Sequence, residues 1–543
     1  MHATDTRSPG ADAPQRRAAA PRASELEAAT ARVLTEGGDA RIALSSAGVN
    51  RYGCAPRPDA RLIAFGSCTA SVVSAPAFAA ATALHSRLRA HPGHYRDEIE
   101  RLRHELRVLS GAADVPGTQV VLGASGTDLH LFAAHLAARD RGAPLQAVMA
   151  QAAETGSGVA AALSALHFGS HTCQGERVVA GAPVAAASLR APAGVRLRDA
   201  DGSVRDADAV DAEFTTHAQR IVRSGGRCLL VLTDVSKTGL LAPSPACALR
   251  LRAAFGDRLD VLVDACQFRI APATLRGYLA HGFMVAITGS KFITGPAFSG
   301  ALLLPPELAE RASTLPLQAL RGYSTLPDWP RRWPAAAALD DAANPGLLLR
   351  WEAALTELHR FRAVPPAAIE AFLIDWGRAV AERIAQDPCF AALPVPPLRR
   401  ATSPSDGGWD HLQTIFPFVV RRVGAGGRSR PLSADETALL YRRLQASDLA
   451  PPPRASEPPA RGLRVQLGQP VPCGPRDGVP VSALRICASA RWVADAAGSP
   501  HGTGHAVRQA MRAFDRLALL AQQLDGDFDA AACGTPRDAS MAA

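Results

Sequence analysis

Six short apolar runs, separated by stretches of helical periodicity, restrict the folds open to this chain more than any other pattern in it. The helical stretches include residues 127–139 and 244–256. Buried strands that alternate with helices are typical of a mostly parallel sheet covered by helices. We therefore predict an α/β fold for the middle of the chain. The six predicted strands are residues 118–125, 145–150, 227–234, 259–265, 284–288 and 300–305.

The length of 543 residues is enough for two domains with tails. The start of the chain mixes arginines with acids and lacks a continuous apolar segment, so we expect a disordered tail there and not a signal peptide. In the C-terminal third, helical patterns mix with a few strands, which indicates a smaller α+β domain. The predicted divisions are a disordered tail at 1–40, an N-terminal segment at 41–115, a large ligand-binding domain at 116–310, an irregular connection at 311–345, a small domain at 346–525 and a loose tail at 526–543.

The composition argues against several classes of protein. Hydrophobic residues make up 47% of the chain and charged residues 20%, which is typical of a soluble globular protein, and no apolar run is long enough to predict a membrane span. The net charge of +9 comes without a lysine-rich run or zinc-finger spacing, so neither nucleic-acid binding nor a metal site is expected. The ten cysteines are scattered without a CxxC pair, which predicts reduced thiols in a cytoplasmic protein.

Lysine is nearly absent from the chain. Of the 59 lysines and arginines only two are lysines, Lys237 and Lys291. Arginine stays protonated in proteins, whereas lysine can lose its proton and act as a nucleophile. Apolar sequence flanks Lys291 on both sides, which argues against a simple surface charge. Lys237, close to Gly239, is the alternative nucleophile, but it lacks the "GP…GAL" segment that follows Lys291.

Polar and glycine-rich segments follow the predicted strands, and this is where open α/β sheets bind ligands. "GASGTD" (123–128) places small residues and hydroxyls at a helix start, which suits a phosphate. Asp264 ends an apolar strand, so its carboxylate is expected to be partly buried and to need a cationic partner. A phosphate cradle, an acid for the ring nitrogen and an amine for the aldehyde are what pyridoxal phosphate requires.

On these motifs, over roughly residues 60–310 and 460–490, the chain resembles the fold type I pyridoxal-phosphate enzymes, and within them the class V aminotransferase and cysteine desulfurase group. The resemblance implies a large α/β domain with a mostly parallel sheet and a smaller α+β C-terminal domain. It also implies a Schiff base on Lys291. The other roles that it implies are phosphate binding by Ser125, Gly126 and Thr127, contact of Asp264 with the pyridinium nitrogen, contact of Gln267 with the phenolic oxygen, and motif positions before the lysine for Thr288 and Ser290.

The chain departs from the family pattern at three positions. The phosphate-binding histidine that precedes the lysine in the family is replaced by Ser290. The histidine that stacks on the cofactor ring falls at Thr155, and the asparagine near the phenolic oxygen falls at Ser236. The resemblance therefore implies cofactor contacts unlike those of a typical member.

A second match lies near the C-terminus. "RVQLGQPVPCG" and "ALRICASARW" resemble the "HHCAQP…RAS" region of one desulfurase group, where an arginine binds the substrate carboxylate. That arginine corresponds to Arg485, and a guanidinium suits the task because it can meet a carboxylate with two parallel hydrogen bonds. The sulfur-accepting cysteine of that group falls on Leu467, with Cys473 six residues later. Leucine cannot carry sulfur, so we predict no sulfur transfer from cysteine.

The sequence thus predicts a pyridoxal-phosphate enzyme that acts on an amino acid or a similar small molecule. Lys291 would hold the cofactor and move the Cα proton, and Asp264 would stabilise the protonated ring. Lyase-type chemistry, by elimination or by C–S or C–C cleavage, is the main hypothesis; transamination and decarboxylation stay open, as does a binding protein without turnover. The family resemblance implies a homodimer, and no nucleic acid, membrane or metal partner is expected.

Overall fold

The computed structural model describes residues 23–66, 71–138, 143–184, 189–400, 408–423, 429–446 and 462–524. The tail predicted at 526–543 lies outside these ranges, as do two of the ten cysteines, Cys68 and Cys533. The described helices are α1 (Ala23–Val33), α2 (Ala75–Ala90), α3 (Tyr95–Ser110), α4 (Gly126–Ala137), α5 (Val159–Leu163), α6 (Ala207–Arg223), α7 (Pro245–Phe255), α8 (Pro272–Ala280), α9 (Pro306–Ala312), α10 (Pro345–Arg362), α11 (Pro366–Gln386), α12 (Ala434–Gln445), α13 (Ala490–Ala497) and α14 (Gly502–Gln522).

The strands form three sheets, and short 3-10 turns connect α9 to α10. The described strands are β1 (Leu62–Ala64), β2 (Gln119–Gly123), β3 (Leu145–Ala150), β4 (Arg190–Val195), β5 (Arg227–Thr233), β6 (Leu259–Ala265), β7 (Met284–Thr288), β8 (Gly300–Leu304), β9 (Phe390–Ala392), β10 (Ile415–Val423), β11 (Ser429–Pro431), β12 (Arg464–Gln466), β13 (Gly468–Arg476) and β14 (Val479–Cys487).

The largest sheet has seven strands in the order β2-β8-β7-β6-β5-β3-β4. The pairs from β4 to β7 are parallel, and β8 runs antiparallel to both β7 and β2. This confirms the predicted α/β fold with a mostly parallel sheet, and all six predicted strands are present. The sequence analysis missed β4, whose "RAPAGV" has no apolar run and is half exposed.

Helices cover both faces of this sheet, and β5 shows why its strands are so apolar. Leu230 and Leu232 belong to one hydrophobic cluster, while Leu229 and Val231 belong to another. Alternate side chains of a strand point to opposite faces, so a strand buried on both sides needs an apolar residue at every position.

The prediction of a disordered tail over residues 1–40 is wrong for its second half. Residues 23–33 form α1, in which Thr30 and Ala31 are buried. The Thr30 hydroxyl lies 2.9 Å from Nδ1 of His85 on α2, so α1 is bound to the body of the protein. The composition is rich in alanine and arginine, which suits an exposed helix as well as a tail.

The C-terminal region contains an antiparallel sheet in the order β11-β10-β14-β13, with β9 added beside β10. The short parallel pair β1–β12 links it to the N-terminal segment. Two hydrogen bonds connect the start of α13, which follows β14, to the loop after β7: Ala490 N donates to Phe292 O at 2.9 Å, and Arg491 Nη2 donates to Thr294 O at 2.8 Å. The helix that follows the C-terminal sheet is therefore held against the segment that contains Lys291.

Within the described ranges no helix is both long and apolar enough to cross a membrane. The same part of the chain contains no group of three or more His, Cys, Asp or Glu side chains placed to hold a metal ion.

Candidate active site

The predicted site residues meet at one edge of the large sheet. β5, β6 and β7 are parallel neighbours, and Thr233, Asp264 and Ala286 lie side by side near their carboxyl ends. The loops beyond these strands contact one another: Gln267 Nε2 donates to Ser236 O at 3.4 Å, and Thr288 Oγ1 donates to Cys266 O at 2.7 Å. This is the edge at which open α/β sheets place their ligands.

Lys291 lies in a tight loop directly after β7. Gly289 N donates to Ser299 O at 2.9 Å and Gly295 N donates to Gly289 O at 2.8 Å, so the loop closes on itself around the lysine. The lysine side chain is half-buried. Its ammonium group is close enough to Asp264 to help lower the pKa of that carboxyl group. The two residues that the sequence marked as central are therefore neighbours.

Asp264 is buried at the end of β6 and remains ionised. Burial would raise the pKa of its carboxyl group, but His130 and then Lys291 outweigh that effect and hold the pKa well below its usual range. Cys266 N also donates to Asp264 Oδ1 at 3.2 Å. Lys291 thus supplies a cation near the carboxylate, as its position after an apolar strand predicted.

His130 was missed by the sequence analysis. Its Nδ1 donates to Gly126 O at 2.7 Å, and its Nε2 lies 3.4 Å from Asp264 Oδ2. That distance is within ion-pair range, and it is the contact that contributes most to lowering the pKa of Asp264. The signal for this residue was a histidine between two leucines in the apolar sequence of α4.

The predicted phosphate-binding residues form the first turn of α4. Ser125 caps the helix, and its Oγ donates to Asp128 Oδ2 at 2.5 Å. A Cβ at Gly126 would lie 2.8 Å from Cys266 Sγ, so only glycine fits there. Arg41, which the sequence analysis also missed, reaches both hydroxyls: Nη2 donates to Ser125 Oγ at 3.2 Å and Nη1 donates to Thr127 Oγ1 at 3.3 Å.

Thr288 and Ser290, the two motif residues before the lysine, are both buried. Ser290 Oγ donates to Thr288 Oγ1 at 3.4 Å. The Thr288 hydroxyl is engaged by the Cys266 carbonyl, whereas the Ser290 hydroxyl makes only this one long bond among the residues with known placement. Ser290 is therefore the more available of the two for a ligand.

The other two positions that depart from the family pattern, Thr155 and Ser236, have different surroundings. The Thr155 hydroxyl is buried and has no partner in the described part of the chain. The Ser236 hydroxyl donates to Glu154 Oε2 at 2.7 Å. Glu154 also accepts from Thr238 Oγ1 at 2.8 Å and from Arg198 Nε at 3.3 Å, so this missed carboxylate fixes the loop after β5. Its only sequence signal was its place beside Thr155 in a strand-end motif.

Arg485 projects from β14 toward the same edge of the sheet. Its side chain is buried, with Nη1 donating to Lys237 O at 3.2 Å and Nη2 to Gln469 O at 2.7 Å. Nε has no partner among the residues that can be described. A buried guanidinium that meets only carbonyl oxygens retains an uncompensated positive charge, which suits an incoming carboxylate.

Leu467 and Cys473 occupy the region that resembles the desulfurase loop. Leu467 is fully buried, and Cys473 lies on β13 with its Sγ 3.7 Å from Val481 O. Burial raises the pKa of the Cys473 thiol. A buried thiol of raised pKa is a poor nucleophile.

No family model matches this sequence, and none of the curated proteins matches it. Similar solved structures include the cysteine desulfurase CsdA of Escherichia coli, with a TM-score of 0.46 and 14% identity, covering 85% of this chain and 95% of that one. Another is TDC of Oryza sativa with PLP and tryptamine, with a TM-score of 0.48 and 13% identity, covering 93% of this chain and 90% of that one. A third is a lysine-to-alanine variant of serine palmitoyltransferase from S. paucimobilis with a bound PLP-myriocin aldimine, with a TM-score of 0.41 and 12% identity, covering 78% of this chain and 78% of that one. Two of these three structures were solved with PLP.

Proposed function

We propose that this chain is a pyridoxal-phosphate-dependent enzyme that acts on an amino acid through lyase-type chemistry. The observation that carries the proposal is a buried, ionised Asp264 within electrostatic reach of the Lys291 amine at the carboxyl edge of the parallel sheet. An ionised carboxylate in a buried place is costly unless a cation faces it. A cofactor with a protonated ring nitrogen offers such a cation, and its aldehyde offers a partner for the amine.

The polar groups of the site fit this cofactor. The Thr155 hydroxyl is a buried donor whose hydrogen-bonding capacity no described residue uses. The first turn of α4 offers hydroxyls and backbone amides for a phosphate, and glycine at position 126 lets this turn pack closely against Cys266. The residues that would hold the cofactor are Ser125, Gly126, Thr127, Thr155, Ser236, Asp264, Gln267, Thr288, Ser290 and Lys291.

When bound, pyridoxal phosphate supplies an electron sink that stabilises negative charge at the substrate Cα. Asp264 would keep a proton on the ring nitrogen, because its own pKa is held low and it stays an acceptor. Lys291 Nζ would move the proton at Cα. Arg485 would bind the substrate carboxylate and so orient the bond that breaks, since a fixed substrate presents only one bond for cleavage.

The proposal extends to the partners and the compartment. The family resemblance supports a homodimer with active sites near the interface, which sedimentation of the purified chain would test. None of the eight cysteines that the structure describes forms a disulfide bond. The cytoplasmic location remains part of the proposal.

A screen of amino acids tests the function directly. The purified holoprotein is mixed with each amino acid while cofactor absorbance and released products are recorded. We expect at least one substrate to shift the absorption bands and to yield a cleavage product, with Lys291→Ala as the inactive control. Release of an oxo acid with conversion to the amine form of the cofactor would indicate transamination. Band shifts without any product would leave a binding protein and contradict the enzyme proposal.

A further inference from the structure

Arg41 contacts both hydroxyls at the start of α4 although it is far away in the sequence. Nη2 donates to Ser125 Oγ at 3.2 Å and Nη1 donates to Thr127 Oγ1 at 3.3 Å. Both bonds are long for N–H···O contacts, so they are weak and exchangeable. Of the five hydrogens on the guanidinium, one on Nη1 has no partner among the described residues.

The position of Arg41 is fixed by its surroundings. Asp39 accepts from Arg41 Nε at 2.9 Å and from Nη2 at 2.6 Å, which sets the plane of the guanidinium. The guanidinium carbon lies 4.8 Å from the ring centre of Phe298, in the loop that follows Lys291. Arg350, fully buried, donates to Leu34 O at 3.1 Å and so anchors the segment that leads to Arg41. A side chain held by Asp39 and Phe298 on an anchored segment is prearranged for binding.

A phosphate bound at the start of α4 would need a positively charged side chain nearby. Ser125 and Thr127 supply neutral hydroxyls, whereas Asp39 and Asp128 bring carboxylates nearby. Burial raises the pKa of Asp128 to about 7, so its negative charge is reduced near neutral pH. A phosphate dianion at this place gains most from the guanidinium, whose fork matches two phosphate oxygens.

A second loop packs against the same turn. A Cβ at Gly158 would lie 3.0 Å from Thr127 Cγ2, so the loop that contains Thr155 packs against Thr127. The Thr155 hydroxyl is buried and unpartnered among the placed residues. Arg41 thus brings an unused donor to the first turn of α4, and the loop that packs against this turn contains another.

Resting on the proposed function, we propose that Arg41 is a direct ligand of the cofactor's phosphate group. It would exchange its two long bonds to Ser125 and Thr127 for charge-assisted bonds to phosphate oxygens. The N-terminal segment, and not the loop before Lys291, then supplies the positive charge that the phosphate needs.

The test compares two ligands that differ only in the phosphate. The full-length chain, freed of cofactor with hydroxylamine, is titrated with pyridoxal phosphate and with pyridoxal, and dissociation constants are read from tryptophan fluorescence. Arg41→Gln should weaken binding of pyridoxal phosphate by about 10-fold or more and leave pyridoxal binding almost unchanged. Arg41→Lys should fall between, and Arg51→Gln, an exposed arginine of the same segment, should match the wild type. Inorganic phosphate should compete with pyridoxal phosphate in the wild type and more weakly in Arg41→Gln.

Unchanged affinity of Arg41→Gln for pyridoxal phosphate would overturn the inference while leaving the proposed function intact. Equal losses for both ligands would also overturn it, because they would indicate a structural role through Asp39 and Phe298. A wild-type chain that binds no pyridoxal phosphate would overturn the proposed function and the inference together.

Discussion

Asp264 is the residue whose environment has the clearest chemical meaning. Its carboxylate is buried, yet His130 and Lys291 keep the pKa of the carboxyl group well below the usual range. A buried charge that loses its partners is strongly destabilising. The three residues therefore form one electrostatic unit, and the effect of changing any of them depends on the other two.

Replacing Asp264 by asparagine should cut turnover by several orders of magnitude while the fold survives. Asparagine keeps an oxygen that can accept from Cys266 N, but it carries no charge to hold the proton on the cofactor ring. Turnover is measured beside thermal unfolding, with Asp260→Asn as the matched control. Asp260 lies at the other end of β6 and pairs with Arg227 at 3.0 Å, so its loss should lower stability without affecting turnover. Near-normal turnover in Asp264→Asn would mean that this acid is only structural.

Replacement of Arg485 should weaken substrate binding. Its guanidinium is buried and contacts only the carbonyls of Lys237 and Gln469. Removal of a carboxylate–arginine contact is worth about 1.5–3 kcal/mol, or roughly 10- to 150-fold. We expect Arg485→Ala to raise KM by that factor while cofactor absorbance stays normal, and Arg485→Lys to recover part of the loss. An unchanged KM would mean that Arg485 has only a structural role in the packing of β14.

Single residues were predictable where a motif follows a strand directly. Lys291 and Asp264 each belong to a short segment after an apolar run, so their convergence follows from the topology of a parallel sheet. Arg41 lies 84 residues before the hydroxyl of Ser125 that it contacts, and nothing in its local sequence indicates that contact. His130 was hidden for the opposite reason, because the apolar face of a helix is where buried histidines are common.

At the scale of elements, the loop that contains Lys291 depends on close packing against α10. A Cβ at Gly295 would lie 2.6 Å from Ala354 Cβ and 2.8 Å from Gly289 O. Both contacts are shorter than real Cβ atoms tolerate, and one is with backbone. The glycines on either side of Lys291 thus allow α10 to pack closely against the loop. This packing fixes the position of the loop that contains the lysine.

Gly295→Ala should therefore destabilise the protein by about 1–3 kcal/mol, the usual cost of overpacking a close contact. It should also lower cofactor occupancy, because the loop must move away from α10. Chemical denaturation and cofactor absorbance measure the two effects. Gly93→Ala is the control, since a Cβ there meets nothing within 4 Å. Equal free energies of unfolding for the two variants would show that the Lys291 loop can accommodate a larger side chain without strain.

The strand β13 explains why sulfur transfer is not expected. It buries Cys473 in a small apolar cluster with Leu393, Val419 and Val481, and burial raises the pKa of the thiol. We predict that incubation with cysteine adds no stable sulfur to the chain, as measured by intact mass before and after reduction. Cys473→Ser should behave like the wild type. A reducible sulfur on Cys473, formed together with alanine, would contradict this prediction and indicate desulfurase activity.

Elements were predictable in proportion to their burial. β5 and β6 are buried on both faces, so each is an unbroken apolar run of strand length. β4 lies at the edge of the sheet, contains a proline and glycine, and gives no periodic signal. α1 was missed because its helical stability comes from packing against α2, which composition does not show.

On the scale of the whole molecule, the candidate site is shared between the large sheet and the C-terminal sheet. Arg485 pairs with Gly468 and Pro417 within the C-terminal sheet, yet its guanidinium reaches Lys237 after β5. Cys487 N also donates to Phe65 O, which ties the same strand to the N-terminal segment. The division into domains at 116–310 and 346–525 stays a prediction, and a site formed by both would require them to fold together.

The central claim is that Lys291 holds the cofactor, and the scarcity of lysine makes the test simple. Borohydride reduction of the purified holoprotein fixes the cofactor covalently to the amine that carries it, and peptide mass spectrometry locates the added mass on one of two lysines. Lys291→Ala serves as the control and should take up no stable label. We predict that the label lies on the peptide that contains Lys291, with Lys237 unmodified. A label on Lys237 in the wild type, or one that persists in Lys291→Ala, would contradict this assignment.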